Sequence, residues 1–530
     1  MVKDLRNKGN GFAAAFVCLC ALMTLVYLVA GYGAYLDSDM SSELVLAKQL
    51  VSEGRLFSSQ WYYSTEVRLL NTQLVFTPLM ALFGGDWQLV RTAGCVILLA
   101  ILALSCVCAA KAIGAGTPYA LFFAGLTICV CSPLYAQNVI IGAYYVPHAV
   151  LMYLTMALYG RWLRSRRRVL AVLLLALAFV MGMSSVRYLL VSIVPLAGAA
   201  LWQYIFPEEN EEEQRTMTQH QAAFLGLGVG VMGAAGYAAG KKLLPLLFHF
   251  DGSYYAGTGY ASFSQHDLGM QVQSVIYGLL YAMGFEDGVP LFGVQGALNA
   301  LILLELFVST MLVIRALRKR IKGAGRVGIL MLVFVSAVSM LSFVLLRSVY
   351  FDRYWLPVMM VGAPVLALCV STEKNGVLRV LAVLLFAGTV LLSSASTMYY
   401  SMRNPQLERD GRLDIVQTAR AHGLFKGYAT FWNANIITEA SDGEIDVAGV
   451  EWVMQNGVVD AIKPARWLET DRDFEMLMPD EPVFLLVGEW ECQGIEPLLE
   501  RLHAQRIEMD GWVQFYIIPS QRLLFDVMLP

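Results

Sequence analysis

Apolar runs of membrane-spanning length, closed by clusters of Lys and Arg at every second end, constrain this chain more than any motif in it. A run of about 20 apolar residues crosses the hydrocarbon core of a bilayer as a helix, because a helix satisfies its own backbone N–H and C=O groups. Such runs lie at about 11–34, 91–110, 116–132, 145–161, 169–185, 188–206, 221–240, 290–314, 327–346, 355–371 and 377–397. The chain is 57% hydrophobic and only 15% charged, where a soluble domain carries about 25% charged residues. The expected fold is therefore a polytopic α-helical membrane protein of about eleven spans. The basic N-terminus, Lys111, the group Arg161 to Arg168, the group Arg315 to Lys322 and Lys374 all fall on one side if residues 35–90 form a single outer loop. That side is the cytoplasm by the positive-inside rule, so the N-terminus is expected there. The first run is too long for the core of a signal peptide and lacks a clear cleavage site, so it reads as an uncleaved helix.

Other classes are disfavoured by what the chain lacks. No basic stripe with interleaved aromatics suggests nucleic acid, and the net charge is -3. Eight of the nine cysteines lie in apolar runs, where they read as small packing residues and not as a disulfide framework. From Ser401 the composition changes and no apolar run is long enough to span. Residues 413–424 and 496–505 read as helices, and 444–450, 482–488 and 513–519 as strands. The expected organisation is a transmembrane module over 1–400, with outer loops at 35–90 and 241–289, followed by a small extracytoplasmic α/β domain over 401–530.

The outer loops hold the candidate chemistry. In YLDSDMSSELVLAKQLVSEG, residues 35–54, Asp37, Asp39 and Glu43 fall within seven positions. Leu44, Ala47, Leu50 and Val51 then recur at helical spacing until Gly54. Acids at the mouth of a membrane helix are either a solvated helix start or a carboxylate site at the membrane–water boundary. Residues 71–84 are apolar but short and contain Pro78, which suits an interfacial helix; so does the stretch 271–285. In RSVYFDRYWLP, residues 347–357, Arg353 opens a membrane helix beside Tyr354. Its guanidinium suits a phosphate held by two parallel hydrogen bonds. Arg347, Arg187, Lys241 and Lys242 are further cations expected on this face; snorkelling to the interface is the simpler account of the two lysines. His249, Asp251, His266 and Asp267 carry donors suited to a divalent ion, at a spacing that is not diagnostic, so no metal site is assigned.

These features together resemble the GT-C class of polytopic glycosyltransferases, which includes protein O-mannosyltransferases and the aminoarabinose transferases of lipid A. The resemblance is carried by Asp39, Ala47, Leu50 and Gly54 after the first helix, by Pro78, by Arg91 at the start of the second span, and by Arg353, Tyr354 and Pro357. The stretch GYATFWNANIIT, residues 427–438, is similar to the extracytoplasmic domains of some bacterial members. One departure is Met40, where the family often has a second acid after the first; Asp37 or Glu43 is then a candidate to supply that carboxylate.

The resemblance implies transfer of a sugar from a polyprenyl-phosphate donor to a lipid, glycan or protein acceptor outside the cytoplasmic membrane. It implies an Asp37/Asp39 carboxylate as general base, Arg353 at the leaving phosphate, and inversion at the anomeric carbon. Arg347, Lys241 and Lys242 are further candidates at the phosphate, with Arg187, Arg91, Glu43 and Tyr354 as substrate contacts. No organic cofactor is called for. A lipid transporter or flippase, or a non-catalytic envelope-assembly protein, is the alternative.

Overall fold

The computed structural model describes residues 2–206, 217–250, 268–319, 321–345, 352–491, 493–509 and 511–529. Among them, Arg347 does not appear, nor do Asp251, His266 and Asp267; these candidates lie outside the described residues.

Helix α1 (Val2–Ala30) is followed by the amphipathic helix α2 (Ser38–Glu53), the short helix α3 (Gln73–Phe83, with Pro78 inside) and α4 (Trp87–Ile113). This is the order expected from the sequence. Among the described residues eight helices are long and apolar enough to cross a membrane, and a ninth span results if one bent pair is counted. The difference from eleven has a local origin. The expected span at 116–132 is helical only over Thr117–Thr127, 11 residues, or about 17 Å at 1.5 Å per residue. The expected span at 169–185 is the 17-residue helix Arg168–Ser184. Residues 133–144, expected as an outer loop, instead form a turn of α-helix at Pro133–Tyr135 and a π-helix at Ala136–Ile141. This segment meets the helix Val146–Ser165 at 78°. The bend places the backbone carbonyl of Ile141 and the side-chain amide of Gln137 inside the site described below.

The ends of the bundle differ in kind. At one end the basic groups come together: Arg164 donates to the Lys111 carbonyl, and Arg315 and Lys319 both bind Glu373. At the other end the loops meet the C-terminal residues. Strand β1 (Trp61–Tyr63) pairs in parallel with β2 (His249–Phe250) and antiparallel with β6 (Glu469–Thr470). Three segments distant in sequence thus share one small sheet.

The C-terminal residues also form a six-stranded sheet from β3 (Lys426–Ala429), β4 (Asp446–Gln455), β5 (Val458–Pro464), β7 (Val483–Gly488), β8 (Gln505–Ile507) and β9 (Val513–Ile518), in the order β5-β4-β3-β7-β9-β8. The centre, β4-β3-β7, is parallel. Every residue of β7, VFLLVG, is buried, as expected for a central strand covered on both faces. One face carries its own core around Tyr428, Leu485 and Ile518. The other, through Phe484, Leu486 and Phe515, continues into the core of the membrane helices. Gly427 is required there, because a Cβ would lie 2.1 Å from the Phe484 ring.

The helix Phe431–Ala440, between β3 and β4, packs on α2. Tyr32 donates to Glu439 at 2.8 Å, the Trp87 amide donates to Asp442 at 2.8 Å, and Lys48 donates to the Gly443 carbonyl at 2.9 Å.

Candidate active site

Helix α2 begins as its sequence dictates. Asp37 has an extended backbone and caps the helix, its Oδ1 accepting from the Met40 amide at 2.9 Å. Gly54 ends it with φ of 63°, the left-handed conformation that glycine takes without strain. Leu44, Ala47 and Leu50 are buried, as the spacing predicts, whereas Val51 faces outward. The cap fixes the direction of the first turn and thereby sets Asp39.

The carboxylates in this turn have different surroundings. Asp37 Oδ2 accepts from the Gln137 side chain at 2.7 Å, so both of its oxygens are engaged. Burial, then the charge of Asp39, pushes its pKa up to about 6, against the Met40 amide and Gln137. Asp39 is likewise raised by burial, but the opposing influences are the guanidiniums of Arg353, Arg68 and Arg187. Glu43 accepts from Thr72, the residue that starts α3, and so ties α2 to α3. Asp39 feels three guanidiniums, Glu43 feels those of Arg68 and Arg91, and Asp37 that of Arg91.

The cations are held by neighbours of the same shell. Arg68 binds Glu66 at 3.2 Å, and Glu66 also accepts from Ser185 at 2.7 Å. The Arg187 guanidinium lies 5.5 Å from the centre of the Tyr354 ring. Tyr144 lies within electrostatic range of Asp37, Asp39 and Arg353, and Tyr145 within range of Arg187, Arg353 and Arg68. Tyr145 stacks on His148 at 5.2 Å, and His148 meets Tyr188 at 4.7 Å.

Glu66, Tyr145, His148, Arg187 and Tyr354 of this cluster also line a cavity of about 520 Å³ between membrane helices. Its walls include Glu66, Arg187, Tyr354 and Lys241 at the polar end and Leu190, Val191 and Val338 further in. A polar mouth on an apolar shaft suits an amphiphile with a charged head.

Several expectations are placed differently. Arg91, expected as a substrate contact, is 1% exposed and engaged by Glu439, 0% exposed, at 2.5 and 2.6 Å. Its remaining donors reach the carbonyls of Met40 at 2.9 Å and Ile141 at 3.3 Å. Four of its five N–H groups are thus engaged within the protein, and Arg91 holds the backbone next to Asp39. Lys242 is exposed and does not line the cavity, while Lys241 does, 5.0 Å from the Tyr237 ring. Gln137 and Tyr144 are not among the candidates the sequence offers, and Arg68 is there only as an outer-face cation without a role. Arg68 was legible as a cation in the first outer loop; Gln137 and Tyr144 lay in the segment expected to be a plain connection.

Among the described residues no group of three or more His, Cys, Asp or Glu side chains gathers to hold a metal ion. His249 is on β2, where its ring packs 5.2 Å from that of Tyr62.

The fold is GT-C-like: a helical membrane module with acids after the first span and a C-terminal sheet domain packed on it. Two solved structures of ArnT, the aminoarabinose transferase, from Cupriavidus metallidurans match almost the whole chain. The apo form is 13% identical with a TM-score of 0.58, covering 98% of this chain and 99% of that one. The form bound to undecaprenyl phosphate is 11% identical with a TM-score of 0.57, covering 97% and 99%. An Archaeoglobus fulgidus oligosaccharyltransferase aligns more loosely, at 10% identity and a TM-score of 0.44, over 81% of this chain and 64% of that one. At these identities the likeness is one of fold. No protein-family model matches the chain, and no curated protein matches it in sequence.

Proposed function

We propose that this protein transfers a sugar from a polyprenyl-phosphate carrier to an acceptor at the outer face of the cytoplasmic membrane, with Asp39 as general base. The observation that carries the reading is the setting of Asp39 among Arg353, Arg68 and Arg187, the last of which also lines a cavity between the membrane helices. A prenyl chain partitions into the bilayer and leaves its phosphate and sugar at the interface. The cavity supplies an apolar shaft and a cationic mouth for such a molecule, and the ArnT fold has been solved with undecaprenyl phosphate bound.

In the proposed step, the acceptor hydroxyl oxygen attacks the anomeric carbon from the face opposite the phosphate. The bond from that carbon to the phosphate oxygen breaks, and its electron pair leaves with the prenyl phosphate. The hydroxyl proton passes to Asp39. Direct displacement inverts the anomeric centre. Arg353, with Arg187 and Arg68, stabilises the negative charge that grows on the phosphate, and Lys241 lies along its path. The three guanidiniums supply charge stabilisation from the chain itself. On this reading the N-terminus lies with the basic clusters in the cytoplasm and the 401–530 domain lies at the other end, outside.

Arg353→Ala is expected to raise the KM for the lipid donor and lower kcat/KM by about 10²-fold or more, the scale seen when one donor to a developing oxyanion is removed. Arg353→Lys should restore little, since a point charge does not reproduce the planar fork. Unchanged donor kinetics in both variants would remove Arg353 from the phosphate site.

The pH dependence follows from Asp39. Its raised pKa means that the basic form is lost at a higher pH than for a free aspartate. Transfer should therefore fall as pH falls, with a midpoint above 3.8. A profile flat down to that value would exclude Asp39 as the base.

A further inference from the structure

The tryptophans at the carboxyl edge of the C-terminal sheet are not used by the proposed reaction, and their position relative to the membrane spans gives them a partner. Trp490 and Trp512 are 61% and 57% exposed. They are neighbours through the backbone: the Glu489 amide donates to the Trp512 carbonyl at 2.8 Å, and the Trp490 ring lies against Gly488, where a Cβ would meet it at 3.2 Å. Trp432, 56% exposed, belongs to the same edge by register, because it follows β3, whose last residue Ala429 pairs with Leu486 of β7.

The level of this edge is fixed by two spans. Gly511, next to Trp512, lies against Asp410 and Gly411, with an added Cβ 3.9 Å from each. Those residues follow closely on the helix Gly376–Arg403, which ends a membrane span. Between them Leu407 is buried against Gly33, just past the end of α1. The outer ends of the first and last membrane helices therefore sit directly beside the edge that carries Trp490 and Trp512. Tyr399 and Tyr400, 56% and 63% exposed, stand on the last turns of that last helix, with Arg403 above the Tyr399 ring at 5.5 Å. Large amphipathic rings with arginines, at the depth where a span leaves the bilayer, form the pattern of an interfacial belt.

We infer that the carboxyl edge of the C-terminal sheet docks into the phospholipid headgroups of the outer leaflet through Trp490 and Trp512, extending the aromatic belt of the last membrane helix onto the domain. The partner is the surface of the membrane the protein spans. Continuity with the belt at Tyr399, Tyr400 and Arg403 selects it over a soluble ligand. This contact holds the domain level with the membrane and does not depend on the catalytic reading.

The test uses the full chain in nanodiscs of phosphatidylcholine and phosphatidylglycerol, with and without a fraction of lipid bearing a nitroxide on its headgroup. Tryptophan emission is compared between the wild type and the single variants W490F and W512F; the difference isolates each ring. W452F, on β4, gives the control difference, away from the edge. The account expects the headgroup quencher to remove most of the Trp490 and Trp512 difference emission and little of that from Trp452. Equal quenching of all three would overturn it. So would difference emission that ignores the lipid label but responds to added oligosaccharide, which would make the edge a glycan-binding surface. Either single variant is sufficient to decide the question if the other is poorly expressed.

Discussion

Asp39→Asn is expected to lower sugar transfer by roughly 10²–10⁴-fold, the usual worth of a positioned general base, while Asp37→Asn stays within about tenfold of the wild type. The sequence alone did not separate these two acids. Their hydrogen bonds do. Asp37 spends one oxygen on the Met40 amide and the other on Gln137. Asparagine is as good a helix cap as aspartate, so Asp37→Asn should preserve the turn.

Stability carries the same distinction. Because the folded-state pKa of Asp37 is raised to about 6 from 3.8, its contribution to stability is full below 3.8 and is lost as pH rises through about 6. At pH 8 the Asn variant should therefore unfold at the same temperature as the wild type or higher, measured in detergent by thermal unfolding. A variant that keeps its melting temperature but loses transfer would move the base from Asp39 to Asp37.

The largest stability effect is expected at the junction between the C-terminal domain and the membrane helices. Glu439→Ala leaves the Arg91 guanidinium buried without its carboxylate, and breaking a buried pair in this way costs about 3–5 kcal/mol. Arg91 also holds the carbonyl of Met40, the residue that follows Asp39. The variant should lose activity as well as stability, with kcat falling more than the donor KM rises. Replacing both partners by apolar residues, Arg91→Met with Glu439→Leu, should recover most of the stability, since the buried charge is then gone. It should not recover kcat, because the link to Met40 stays absent. Thermal unfolding with donor kinetics on the two variants checks both statements. If Glu439→Ala unfolds like the wild type, the domain is not braced through this pair.

The spans, the amphipathic helix α2 and the alternation of the C-terminal elements were legible because each is a local pattern: apolar length, helical spacing, a cap, a closing glycine. Arg353 and Asp39 were legible as charges close to the ends of apolar runs. The pairing of Arg91 was not legible. Its place at the start of α4 is visible in the sequence, but its partner Glu439 lies 348 residues away and nothing local points to it. Gln137 was hidden because Ala136–Ile141 is a π-helix, whose period matches neither strand nor α-helix templates, and Tyr144 lies in the turn that follows it. The short span Thr117–Thr127 was overestimated because apolar composition continues past the point where the helix stops.

The most direct test of the central claim is donor turnover in isolated membranes that contain the overexpressed protein and its native acceptors. A panel of radiolabelled sugars on polyprenyl phosphate is supplied, and the label remaining on the carrier is followed over time. The account predicts that for at least one sugar the label leaves the carrier and free prenyl phosphate accumulates with the wild type, but not with Asp39→Asn. Label that stays on every carrier, or leaves it equally fast with both proteins, would contradict it.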